Sequence, residues 1–137
     1  MSISLDDITA ARNRIVKYIR RTPLAQSPWL SEITGGRILL KVESLQTTGS
    51  FKLRGAVNAL ASLLEHSDAV APRVVTASAG NHGRAMAWAA ERLGVALTVF
   101  TSNDAPKTKR DGIRHHGADL RDTAPTYDDA ERLAKTF

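Results

Sequence analysis

The sequence predicts an α/β fold, an open twisted parallel sheet with flanking helices, and three observations carry that expectation. From residue 53 onward the apolar patterns alternate as helix, strand, helix, strand, helix, strand, helix. Such alternation implies parallel pairing through right-handed crossovers. Breakers stand between the patterns: Gly94 as a left-handed stop, Pro106 ahead of a helix and Gly117 near its end. No internal repeat, low-complexity tract or disordered linker interrupts the run.

Taken in order, Ser4-Leu5-Asp6-Asp7 opens a first helix, with Ser4 as cap and acids in the first turn. Ile8, Ala11, Ile15 and Ile19 recur at helical spacing, and Pro23 ends the pattern by making Thr22 extended. Trp29 to Thr34 reads as a short helix closed by Gly35-Gly36, and Ile38 to Glu43 as a strand. Gln46 to Gly49 is a loop, after which Ser50 is the expected N-cap of a long helix. Leu53, Ala56, Val57, Leu60, Leu63 and Leu64 mark that helix's buried face. Val74 to Ala77 is a short buried strand, Gly83 to Leu93 a helix, and Val95 to Phe100 a strand. A helix follows Pro106, Asp119 to Arg121 is a weaker strand, and Thr126 with Asp129 resembles a capping box for a last helix. Ligands of open parallel sheets sit at the carboxyl ends of strands. Ser78 to His82 occupies such an end.

A chain of 137 residues can bury one real core. Having no cysteine, it can form no disulfide, thiolate nucleophile or Cys-ligated zinc site. It opens on no charged-then-apolar signal segment and has no apolar run long enough for a bilayer, so a soluble cytoplasmic protein with no membrane partner is expected. Lys and Arg total 19 against 14 for Asp and Glu, a net charge of +5. The basic residues are dispersed except for Arg12, Arg14, Lys17, Arg20 and Arg21, which read as a solvated helix face rather than a nucleic-acid surface. His115 and His116 point about 100° apart on a helix, so they are expected to be surface residues rather than metal ligands. Trp29 and Trp88 are expected in the core or at a domain interface.

Two segments carry chemistry. The first is Thr48-Gly49-Ser50-Phe51-Lys52-Leu53-Arg54-Gly55-Ala56. Lys52 falls in the first turn of its helix, where the positive end of the dipole disfavours an ammonium and favours the nucleophilic amine. Phe51 beside it can pack against a flat ring system. The second segment is Ser78-Ala79-Gly80-Asn81-His82-Gly83, whose glycines and helix start aim N–H groups at an anion such as a carboxylate. Neither a Gly-x-Gly-x-x-Gly dinucleotide loop nor a Walker A pattern is present. An amine able to form a Schiff base, facing an anion cradle, is what amino-acid chemistry on pyridoxal phosphate (PLP) needs.

These segments resemble those of the threonine/serine dehydratases, which belong to the tryptophan-synthase-β-like PLP enzymes of fold type II. The resemblance runs from Ile19-Arg20-Arg21-Thr22-Pro23-Leu24 through Ala105-Pro106-Lys107-Thr108-Lys109 to Gly117-Ala118-Asp119. It implies that Lys52 carries PLP as a Schiff base and moves the Cα proton. It implies that Ser78, Ala79, Gly80, Asn81 and His82 hold the substrate carboxylate, His82 through its backbone. Phe51 and Asn81 then join Lys52 in binding the cofactor, Asn81 at its 3-hydroxyl. Where serine racemases of this family carry a serine acid/base, this chain has Ala79, which favours elimination over racemisation. Gly83-Arg84 stands where many threonine dehydratases have Ala-Gln, and is similar to the dehydratases of hydroxyectoine utilisation.

The resemblance implies an N-terminal part of such an enzyme: residues 1–50 as a segment of the large PLP domain and 51–137 as the small α/β domain. Family members hold the PLP phosphate in a glycine-rich loop of the C-terminal half. A homo-oligomer is expected of the complete enzyme, with a β-hydroxy amino acid as small-molecule substrate. The 137-residue chain by itself is expected to be inactive. The competing expectation is a non-catalytic, enzyme-derived module or a truncated gene product; a serine racemase is less favoured, and a nucleic-acid binder ranks third.

Overall fold

The computed structural model of the chain describes residues 2–67 and 72–137. Three parallel strands form its central sheet, in the order β3 (Arg73–Ala77), β4 (Ala96–Ser102), β5 (Asp119–Ala124). Between them run α4 (Asn81–Leu93) and α5 (Lys107–His115), and α6 (Tyr127–Thr136) follows β5. This is the expected alternation, and the fold is the α/β fold with parallel sheet and flanking helices that the sequence predicts. Before it come α1 (Leu5–Ile15), α2 (Pro28–Thr34) and α3 (Lys52–His66). A small antiparallel pair, β1 (Leu24–Gln26) with β2 (Leu39–Lys41), lies in the same stretch.

Side-chain alternation in β4 places the sheet between two apolar layers. Leu97 and Val99 join the larger core with Leu53, Val57 and Leu60 of α3, a run of small residues on α4, and Ile113 of α5. Phe100 joins a smaller core with Ala124 and with Ala130 of α6. Gly94 ends α4 at φ +68°, a conformation that a side chain would strain, and so turns the chain into β4.

Several local expectations are corrected. The first helix ends at Ile15 rather than continuing through Ile19 towards Pro23. Beyond it, the Arg20 backbone is bonded to the buried Gln46 side chain: Arg20 N–H donates to Oε1 at 3.0 Å, and Nε2 donates to the Arg20 carbonyl at 2.9 Å. Those bonds replace the helical ones. The predicted strand over 38–43 shrinks to β2, and Glu43–Leu45 forms a 3₁₀ turn. Ser50 does not cap α3; Phe51 already has helical angles before the first residue, and the Ser50 hydroxyl is buried without a partner. Ala61 is buried instead of Leu63 and Leu64, which are partly exposed. Arg14 is no solvated cation, since it bonds Glu65 and Asn58 of α3. The Ser4 and Thr126 caps form as expected, each accepting an N–H three residues on.

Arg54 in the first turn of α3 makes two bonds to Glu43, at 2.9 Å and 2.7 Å, while Thr22 donates its hydroxyl to the same carboxylate. This network ties the start of α3 to both N-terminal strands' surroundings. The Arg54 guanidinium holds the Glu43 carboxyl below its usual range, against the opposing effect of burial. A depressed folded-state pKa stabilises above the unfolded value, and the gain is lost as pH falls through the folded value. We therefore expect Glu43→Gln to cost about 1–2 kcal/mol at neutral pH. The difference from wild type should vanish in acid strong enough to protonate Glu43, as read by urea denaturation at both pH values.

Candidate active site

The first turn of α3 and the start of α4 meet at one cleft. Phe51, Lys52, Gly55, Ala59, His82 and Met86 line this cleft of about 260 Å³. Lys52 is exposed at its lip, with Nζ 5.0 Å from the centre of the Phe51 ring. Gly55 and Ala59 follow Lys52 at three and seven residues, so small side chains leave a trough beside the amine. That spacing was available in the sequence as a signal for these two residues. Met86 was not foreseen, because it reaches the cleft from α4.

The β3–α4 turn is organised by Ser78. Its buried hydroxyl accepts the N–H of Gly80 at 3.2 Å and of Gly83 at 2.8 Å. Gly83 has no spare room: an added Cβ would lie 3.0 Å from Ile113 and 3.1 Å from Ser78. Among the described residues, the N–H groups of Ala79, Asn81 and His82 find no hydrogen-bond acceptor. Three free donors at the start of a helix form an anion-binding turn. Asn81 and His82 belong to the first turn of α4 rather than to a loop. Two contacts were not foreseen: Lys109 Nζ donates to Asn81 Oδ1 at 2.8 Å, and the Tyr127 hydroxyl donates to the Ala77 carbonyl at 3.4 Å.

The His82 Nε2 lies 3.3 Å from the Thr76 hydroxyl. Partial burial of the imidazole, then the Lys52 ammonium, lowers the His82 pKa from its ordinary 6.5. A positive neighbour disfavours a second positive charge. In an NMR titration we expect the His82 midpoint to lie below that of a free histidine. It should rise in Lys52→Ala, where the neighbouring charge is gone, and stay depressed in Lys52→Arg.

His116, expected at the surface, is corrected by the fold: its side chain is 14% exposed and its Nδ1 lies 2.9 Å from Glu91 of α4. No cluster of metal-ligating side chains occurs among the described residues. A larger groove of about 620 Å³ runs along α1 past Arg21, Lys41 and Arg54. It is lined by no residue of the β3–α4 turn or of α4, whereas the smaller cleft brings the Lys52 amine to His82 at the start of α4. No helix among the described residues is long and apolar enough to cross a membrane.

A parallel α/β unit that sets a lysine amine in one cleft with the start of a helix, just past a turn of unbonded N–H groups, has features that Schiff-base chemistry on an anionic substrate requires. The model for the family described as pyridoxal-phosphate dependent enzyme matches residues 15–137, and the chain belongs to that family. It is 42% identical to the L-threonine ammonia-lyase of Thermotoga maritima, over 96% of this chain and 32% of that protein. It is 38% identical to the beta-hydroxyaspartate dehydratase of Paracoccus denitrificans, over 92% of this chain and 39% of that protein. The crystal structure of serine racemase from Dictyostelium discoideum superposes with a TM-score of 0.87 at 38% identity, covering 98% of this chain and 43% of that one. The chain thus spans well under half the length of these relatives.

PLP is the cofactor of this family, and the residues present fit it. Lys52 supplies an amine at an open trough, where a Cβ added at Gly55 would meet nothing within 4 Å. The unbonded N–H groups of Ala79, Asn81 and His82 supply donors for an anion, and His82 lines the same cleft as Lys52.

Proposed function

We propose that this chain carries the Schiff-base and substrate-carboxylate half of a PLP-dependent ammonia-lyase acting on a β-hydroxy amino acid. The observation that carries the reading is the cleft that Lys52 shares with His82, the last residue of a turn whose N–H groups at Ala79, Asn81 and His82 are unbonded among the described residues. When bound, PLP supplies the electron sink that makes a substrate Cα–H acidic. The chain's own residues do the rest. Lys52 holds the cofactor through Nζ and, once displaced by substrate, takes the Cα proton at the same atom. The N–H groups of Ala79, Asn81 and His82, with the remaining donor of the Ser78 hydroxyl, bind the carboxylate and turn the Cα–H bond towards Lys52. Gly80 keeps the turn close to the ligand, and Asn81 donates from Nδ2 to the cofactor's 3-oxygen. Phe51 flanks the ring. Loss of the β-hydroxyl as water, followed by hydrolysis, yields a 2-oxo acid and ammonia: 2-oxobutanoate from threonine, pyruvate from serine. Ala79 offers no proton on the opposite face, so elimination outruns racemisation.

In this reading residues 1–50 belong to a large PLP domain, 51–137 form the small domain, and a second lobe completes the site and the oligomer. Leu24, Trp29, Ile33, Leu39 and Leu40 support it, because all are exposed on the N-terminal segment, Trp29 to 68%. The same apolar surface favours a second reading, a non-catalytic module that binds a partner.

A borohydride trap separates the two. The chain is incubated with PLP, reduced, digested and mapped by mass spectrometry. A visible absorbance band followed by a pyridoxyl adduct concentrated on Lys52 is expected. Labelling scattered over the lysines, or none, overturns the catalytic reading in favour of the module.

A further inference from the structure

Lys109 stands in an electrostatically unfavourable place. It lies in the first turn of α5, at that helix's positive end, and its ammonium reaches the positive end of α4. Its neighbours on α5 are neutralised, Lys107 by Asp111 and Arg110 by Asp122. Among the described residues Lys109 has no carboxylate within ion-pair distance. It donates instead to a neutral amide oxygen, Asn81 Oδ1, at 2.8 Å, across 28 residues of sequence.

That contact settles which way the Asn81 amide faces. A lysine ammonium only donates, so the atom it meets must be the amide's acceptor oxygen. The two donors of Nδ2 are thereby turned away from α5. The next residue, His82, lines the Lys52 cleft. We infer that Lys109 is a positioning residue of the cofactor site: its ammonium locks the Asn81 amide with Nδ2–H presented to the ligand's 3-oxygen. Its unneutralised charge adds a field that favours an anionic oxygen there. The inference rests on the proposed function and adds a residue to it. Without the lysine, Asn81 can rotate and present either end, and the donor is lost for part of the time.

The test uses the 137-residue chain in wild-type, Lys109→Met and Lys109→Arg forms, with PLP as the probe. The first readout needs no cofactor. The Asn81 side-chain amide pair is assigned in a ¹⁵N spectrum by its loss in Asn81→Ser. Methionine at 109 should shift that pair, leave those of Asn13, Asn58 and Asn103 in place, and arginine should restore it. The second readout is the apparent Kd for PLP from the visible band, with the adduct mapped to Lys52. Methionine should weaken binding about tenfold, as expected for losing one charge-assisted bond in a partly exposed site, and arginine should recover most of it. An unmoved Asn81 pair in Lys109→Met overturns the inference. So does a moved pair with an unchanged Kd while wild type labels Lys52 selectively. If wild type itself shows no selective Lys52 adduct, the proposed function fails, and the cofactor-directed role of Lys109 fails with it.

Discussion

We expect Lys52→Ala to abolish the trapped PLP adduct of this chain and, in an enzyme completed by the second lobe, to lower turnover by about 10³-fold or more. The size follows from the two roles proposed for Lys52 being lost together, the covalent hold on the cofactor and the base at Cα. Nothing nearby can replace it. Lys109 is committed to Asn81 and Lys41 to the Thr22 carbonyl. The alanine variant should fold, because Lys52 is exposed and its side chain makes no hydrogen bond within the described residues. Lys52→Arg sharpens the result. It keeps a positive charge beside His82 but offers no amine that can form a Schiff base. Loss of the adduct in both variants, with the His82 midpoint moved only in alanine, would assign the chemistry to the nucleophile and not to its charge. Retention of a selective adduct or of turnover in Lys52→Ala would refute the assignment.

The parallel sheet and both halves of the cleft were legible because local patterns encode them. A strand, a short turn holding Gly80 and a helix start leave free N–H groups at the sheet's carboxyl edge, and Lys52 stands in a helix's first turn whichever residue precedes it. What was illegible depends on partners distant in sequence. Gln46 bonds the Arg20 backbone, so the path of the chain beyond α1 is held by a residue 26 positions after Arg20. The β1–β2 pair is only three residues long on each side, too short to show an alternation. His116 seemed a surface residue because its partner, Glu91, lies on another helix. Lys109 looked like one more dispersed cation, since its contact with Asn81 exists only once α4 and α5 are packed side by side. Ser50 misled for a different reason. Capping needs an extended residue ahead of the helix, and Phe51 continues the turn instead.

The packing of α3 decides where Lys52 points, and Leu53→Ala tests it. Leu53 is fully buried at 0% exposure, next in sequence to Lys52, in the core it shares with α4 and β4. Removing its side chain leaves a cavity that the surrounding Val57, Leu60 and α4 backbone cannot fill without moving. The expected cost is about 2–4 kcal/mol in urea denaturation, the transfer and cavity contributions together. Leu63 lies on the same helix, ten residues on, and was expected on the same buried face, but it is 39% exposed. Leu63→Ala should cost less, about 1 kcal/mol, since 39% of its surface stays in water and the space it vacates opens to solvent. The two leucines share composition, helix and propensity, so the difference between them reports only the rotation of α3 against the core. Comparable losses at both positions would mean that α3 is turned from the orientation described, and that Lys52 does not open onto the cleft shared with His82. A large loss at Leu53 alone fixes the helix and, through it, the direction of the amine. Such a variant should also label more slowly with PLP, because loosening the first turn spreads Nζ over positions away from the turn at residues 78–82.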